Sequence, residues 1–189
     1  MKRLFILIII ASVSISSCIF WQSEITYEVA FDTSENTTFY VPVPIDDSNK
    51  IVDVMDNLKV TDGKADLKLV DTIYGKALEV RTTDPCKLSA RKKYGYKNTE
   101  KGDKWLQNCN ISMLNELIKK EHEWDETYTA WVYASNPNST ALIYIYFDDG
   151  WNNLLTYKIG LTPSDPFAQI PLKEGWQTVK LERYMLLYD

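Results

Sequence analysis

The run Leu142-Ile143-Tyr144-Ile145-Tyr146-Phe147 constrains the fold more than any other stretch. It lies within Thr140 to Asp148 and is apolar on both of the faces that a pleated strand presents. Such a run reads as a central strand of a packed sheet. Thr127 to Ala134 has the same character, and Asn136-Pro137-Asn138-Ser139 supplies the turn between the two. Asp148-Asp149-Gly150-Trp151-Asn152-Asn153 is a second turn. A strand over Leu154 to Gly160 follows, then a short one over Phe167 to Pro171. Glu174-Gly175 precedes a final strand from Trp176 to about Leu187.

The first half continues the pattern. Ile25, Tyr27, Val29 and Phe31 alternate with less apolar residues and predict a first strand with one buried face. Asp32 to Asn36 is a turn cluster and Thr37 to Val43 a second strand, so the two predict a hairpin. Pro42 and Pro44 place the end of that strand at a sheet edge, because proline cannot donate to a ladder. Asp66 to Thr72 and Lys76 to Thr82 predict strands reversing at Tyr74-Gly75, and Lys87 to Tyr96 carries another. Two segments have helical spacing instead. Ile51, Val54, Met55 and Leu58 fall at i, i+3, i+4 and i+7, and Ile111, Leu114 and Ile118 share a stripe that Asn110 or Ser112 would cap. Short strands with turn signals about every 8–12 residues give the fold class: mainly β, an antiparallel, jelly-roll-like β-sandwich with one or two short helices.

The start of the chain reads differently. Lys2 and Arg3 precede an apolar segment, Leu4 to Ile15, which is shorter than the roughly 20 residues of a membrane span. Ile15-Ser16-Ser17-Cys18 ends it. This resembles the lipobox of prokaryotic lipoprotein signal peptides. The resemblance covers residues 1–18 alone. It implies that residues 1–17 are removed and that Cys18 becomes the diacylated first residue of the mature chain. Two acyl chains anchor stably where one is marginal. Residues 18–24 then form a tether and residues 25–189 a single domain.

Charge and cysteine count follow from that. Loss of Lys2 and Arg3 from 21 basic residues leaves 19 against 26 acidic ones, a net charge of −7. An acidic domain lacks the basic footprint that nucleic acid requires. With Cys18 acylated, Cys86 and Cys109 remain as an even pair, and export to an oxidising compartment predicts a disulfide between them. The chain between them holds Lys87, Arg91, Lys92, Lys93, Lys97, Lys101 and Lys104 against Glu100 and Asp103, a basic segment in an acidic protein. Such a segment can face anionic lipid headgroups or an acidic polymer.

Few residues suggest catalysis. His122 is the single histidine and lies in a charged run, Lys119-Lys120-Glu121-His122-Glu123. No nucleophile elbow, phosphate-cradling loop, dinucleotide fingerprint or zinc motif is present. No metal or cofactor is expected. The candidate ligand contacts are Trp151, Asp148, Asp149 and Asn152, since a tryptophan in a polar turn can stack on a sugar ring while neighbouring oxygens take its hydroxyls. The expectation is a non-catalytic, lipid-anchored envelope protein on the cell or outer membrane. Its partner would be an envelope polysaccharide or protein. The alternatives are a hydrolase with two carboxylates about 5–10 Å apart across a groove, or an accessory subunit of an envelope transporter or assembly complex with an exposed apolar patch.

Overall fold

The computed structural model describes residues 23–94, 110–120, 126–148, 153–159 and 169–187. Its strands are β1 (Ser23–Asp32), β2 (Thr37–Pro42), β3 (Pro44–Ile45), β4 (Lys59–Asp62), β5 (Asp66–Thr72), β6 (Gly75–Thr82) and β7 (Cys86–Tyr94). They continue with β8 (Asn110–Ile111), β9 (Leu114–Lys120), β10 (Glu126–Ala134), β11 (Ser139–Asp148), β12 (Asn153–Ile159), β13 (Ile170–Leu172) and β14 (Gly175–Leu187). A 3₁₀ turn spans Asp53–Asn57.

A 12-stranded antiparallel sheet runs β4-β7-β1-β11-β12-β14-β10-β2-β6-β5, with β13 added beside β11 and β9 beside β10. It curls into two facing layers, β4 to β12 of that order in one and β14 to β5 in the other. Residues from strands that do not pair show this directly. Phe31 of β1 stacks on Phe39 of β2 with ring centroids 4.3 Å apart. The Tyr27 hydroxyl donates across the core to the Pro42 carbonyl at 3.0 Å. The long strand β14 carries the sheet from layer to layer, pairing with β10 along Gly175 to Arg183 and with β12 along Leu181 to Leu187. A strand that changes layers is the usual way to turn such a corner.

Alternation sets the core. Ile25, Tyr27, Val29 and Phe31 of β1 and Ala141, Ile143, Ile145 and Phe147 of β11 are all buried. From the second layer come Phe39, Val41, Leu78, Val80, Ala130, Val132 and Ala134. The β1 residues are the inward face that its period-2 pattern predicts, and the β-sandwich-like class stands.

The connections between layers depart from expectation. β1 pairs with β7 and β11, not with β2. Residues 33–36 form an arch over the core in place of a hairpin turn. The hydroxyls of Thr33 and Thr37 lie 2.7 Å apart inside it. The links β4–β5, β6–β7 and β10–β11 also cross between layers, all at the end away from Ser23. Asn136 in the β10–β11 link donates to Glu35 in the first arch at 3.1 Å. β4 and β5, the two ends of the strand order, are joined through Gly63, which has φ +74°. A Cβ there would come 2.3 Å from the Pro85 carbonyl oxygen, so glycine is required.

Two further expectations are corrected. β2 is an interior strand flanked by β10 and β6, but β10 reaches only Phe39 and Tyr40, so Pro42 costs no ladder bond on that side. The predicted helix from Ile111 is extended chain: β8, a break at Met113 with φ +61°, then β9. Where β2 ends, β9 takes over the same edge of β10 through a register with two bulges. Ser112 caps no helix. Its hydroxyl accepts from the Val43 N–H and its own N–H donates to the Val43 carbonyl, both at 2.9 Å. Sheet pairing overrides the helical spacing, and Leu117 and Ile118 are left exposed. The helical spacing from Ile51 does mark a turn of 3₁₀ helix, with Val54 and Met55 buried.

Candidate functional site

The outer face of the first layer carries a groove of about 480 Å³. Three strands build it by register. Glu28 of β1 lies between Tyr144 of β11 and Ser89 of β7, and Ala30 lies between Leu142 and Lys87. Tyr146 and Thr61 complete the polar and aromatic lining. Those on β1, β7 and β11 are outward positions on strands whose alternate residues form the core. Tyr144 and Tyr146 meet edge to face, with centroids 3.9 Å apart and planes at 87°. Thr61 donates to the Lys87 carbonyl at 3.2 Å, tying β4 to β7. Glu28 and Lys87 are exposed and, among the described residues, form no ion pair. Glu24 differs: Arg91 holds it in a salt bridge that keeps the guanidinium pKa above its ordinary value.

The second layer's outer face is aromatic too, but self-covering. Tyr40, Tyr133 and Trp176 sit side by side on β2, β10 and β14, with Tyr40 and Trp176 stacked at 5.6 Å. Tyr74, at the β5–β6 hairpin tip, stacks on Trp131 at 4.0 Å and meets Trp176 edge-on at 4.9 Å. Burial and a hydrogen bond to Glu79 push the Tyr40 pKa up.

At the Ser23 end, Glu126 joins β9, β10 and β14. It takes hydrogen bonds from Tyr128 at 2.7 Å and Arg183 at 2.5 Å, and an ion pair from Lys120 at 3.1 Å. Burial alone would raise its pKa; the bonds from Tyr128, Arg183 and Lys120 outweigh burial and hold it below the ordinary glutamate value.

Most residues singled out in the sequence lie away from the groove or outside the described residues. Cys18, Cys109, Asp149, Trp151, Asn152 and His122 lie outside them. Asp148 is exposed at the end of β11, on the same face as Tyr144 and Tyr146, and pairs in register with Glu24 near the start of the fold. The expected Cys86–Cys109 bridge is not seen: Cys86 is a buried free thiol at the start of β7. It faces inward opposite Phe31, so the core takes it as a small apolar group. Glu28, Lys87 and Ser89 carried no signal of their own. They are ordinary polar positions on half-buried strands, and only the pairing of three distant segments gathers them. No protein family, curated protein or solved structure matches this chain.

Proposed function

We propose that this chain is a lipid-anchored protein of a prokaryotic cell envelope, on the cell or outer membrane, and that it acts as a non-catalytic module binding an envelope polymer. The lipobox-like run ending at Cys18 supports the anchor. Four residues separate Cys18 from Ser23, five steps of chain with a reach of about 17 Å when extended. That reach keeps the Ser23 end of the sandwich near the lipid and turns the inter-layer arches outward. The Asp148–Asn153 turn begins at the membrane-facing end. The groove lies higher on the flank and is the better placed contact surface.

The groove carries the binding reading: an open aromatic trough in which one carboxylate and one ammonium have no ion-pair partner among the described residues. Glu28 is the one carboxylate among its described lining residues, which favours binding over a two-carboxylate hydrolysis.

Two experiments test this. Cys18→Ala should leave the precursor uncut and abolish its labelling by a radioactive fatty acid; unchanged processing and no labelling of the unaltered protein would dismiss the anchor. Isolated envelopes of the source organism should co-sediment the full-length protein, and the groove-filling Ala30→Trp should abolish that. If Ala30→Trp co-sediments as well as the unaltered protein, the groove is not the binding site.

A further inference from the structure

We propose that the free edge of β5 receives an extended segment of another protein, paired antiparallel, in which an acidic residue meets Lys68 and a basic one meets Asp66. This surface belongs to the second layer and is independent of the groove on the first.

β4, β5 and β9 each keep an unpaired edge among the described residues. β4 has only four residues and a bulge, and β9 has two register shifts, both devices that keep foreign strands away. β5 lacks them: all seven of its residues pair with β6 in unbroken register. Leu69 lies on its inward side, opposite buried Leu78, yet is 40% exposed. Lys68, Leu69, Val70 and Asp71 together line a cleft of about 390 Å³ that Ile51 also borders. Consecutive strand residues point to opposite faces, so four in a row share a cleft only along the strand's edge. Every second residue of β5 aims its N–H and C=O away from β6. Such an edge adds a strand, with ladder bonds giving affinity and alternate side chains giving specificity.

β6 shows what β5 accepts as a neighbour. Leu78, Glu79, Val80 and Arg81 stand opposite Leu69, Lys68, Leu67 and Asp66. Glu79 and Arg81 bridge to one another, and neither Lys68 nor Asp66 has an ion-pair partner among the described residues. A strand on the other edge meets these two exposed charges in fixed order, flanked by leucines. Read from its N-terminus, it complements them with apolar, acidic, apolar and basic residues in turn. A second copy of this chain fits less well. Antiparallel self-pairing sets Asp66 opposite Lys68 only about Leu67, which engages just Asp66 to Lys68 of each β5.

A labelled synthetic peptide copying Lys76–Thr82 carries the required order and serves as the probe, with the full-length protein in detergent and fluorescence polarisation as the readout. It should bind saturably. Exchanging the peptide's glutamate and arginine should weaken binding roughly fivefold or more, because each opposite-charge pair becomes a like-charge pair. Asp66→Lys combined with Lys68→Asp should invert that preference. Leu69→Lys, which sets a charge on the inward side of the edge, should abolish binding. Asp66 and Lys68 are exposed, so the exchanged variant keeps the test valid even if Leu69→Lys unfolds. Bound peptide should slow amide exchange in β5 and not in β4 or β9. No saturable binding, equal affinity for the two charge orders, or protection of β4 or β9 in place of β5 overturns the assignment. So does self-association of the protein that Leu69→Lys abolishes, which would give the edge to a second copy.

Discussion

The two outer faces of this sandwich use aromatic residues to opposite ends. On the second layer, Tyr40, Tyr74, Trp131, Tyr133 and Trp176 contact one another, and a hairpin tip folds over to cover two of them. On the first layer, Tyr144 and Tyr146 border a trough beside Glu28 and Lys87. Exposed-face aromatics are therefore not in themselves a binding surface. What differs is their surroundings: the second layer's rings pack on one another under a hairpin tip, while the first layer's pair borders a groove. The second layer's cluster is a small outer core; the first layer's pair is a ledge.

The sharpest way to break this contrast is to truncate one ring from each face. Trp131→Ala removes the stack on Tyr74 and should cost about 3 kcal/mol, the low end for aromatic truncation because the ring is only half-buried. Envelope co-sedimentation should be unchanged. Tyr144→Ala removes a smaller ring and should cost less, about 2 kcal/mol, while abolishing co-sedimentation. Urea unfolding alongside the sedimentation assay reads both. Equal stability losses from the two variants would erase the distinction between the faces.

The seam between the layers comes next. Glu126 is gripped by Tyr128, Arg183 and Lys120 where β14 passes from one layer to the other. Its folded pKa is lowered, so its stabilisation is complete above the unfolded glutamate pKa and is lost as pH falls through the lower folded value. Glu126→Gln should cost about 2 kcal/mol at neutral pH, as charged hydrogen bonds do. That difference should shrink as both proteins are acidified. A difference independent of pH would mean that the carboxylate's charge does not hold the seam.

How much of this was legible beforehand follows from the range of each signal. Period-2 alternation is local, so the inward face of β1 could be read from the chain, whereas β11, apolar on both faces, announced a central strand but not which of its sides is buried. So could the β5–β6 hairpin, whose strands are neighbours in sequence. A turn-rich segment such as Asp32 to Asn36 permits either a hairpin or an arch, and the stacking of Phe31 on Phe39 across the core selects the arch. Ile111, Leu114 and Ile118 have helical spacing, but β10 has an unpaired edge below Tyr40, and extended chain fills it. The groove was the least legible feature. Glu28, Ser89 and Tyr144 become neighbours only through the β7-β1-β11 register.

A smaller effect separates a covering residue from a covered one. Tyr74 reaches its ring partners from the hairpin tip, where its N–H bonds the Thr72 hydroxyl at 3.1 Å and Gly75 has φ +119°. Tyr74→Ala should cost about 1 kcal/mol, the scale of an aromatic pair. The loss should be local. Hydrogen exchange should quicken in β5 and β6 and not in β1 or β11. Faster exchange throughout the sheet would mean that the hairpin is part of the main core and not a flap laid on an outer cluster.

The smallest predicted effect is a null, and it concerns how the groove face is held. β7 supplies Lys87 and Ser89, and a Cys86 bridge would have pinned it covalently. Removing a native disulfide typically costs about 2–5 kcal/mol. With Cys86 a free thiol, reductant should leave the melting temperature unchanged. Burial pushes the Cys86 thiol pKa up, despite the opposing hydrogen bond from Thr82, so little thiolate is available for alkylation. Iodoacetamide should therefore label Cys86 slowly in the native protein and quickly in urea. A melting temperature that falls on reduction would show that a covalent link, and not the pairing of β7 with β1 and β4, holds the groove's outer wall in place.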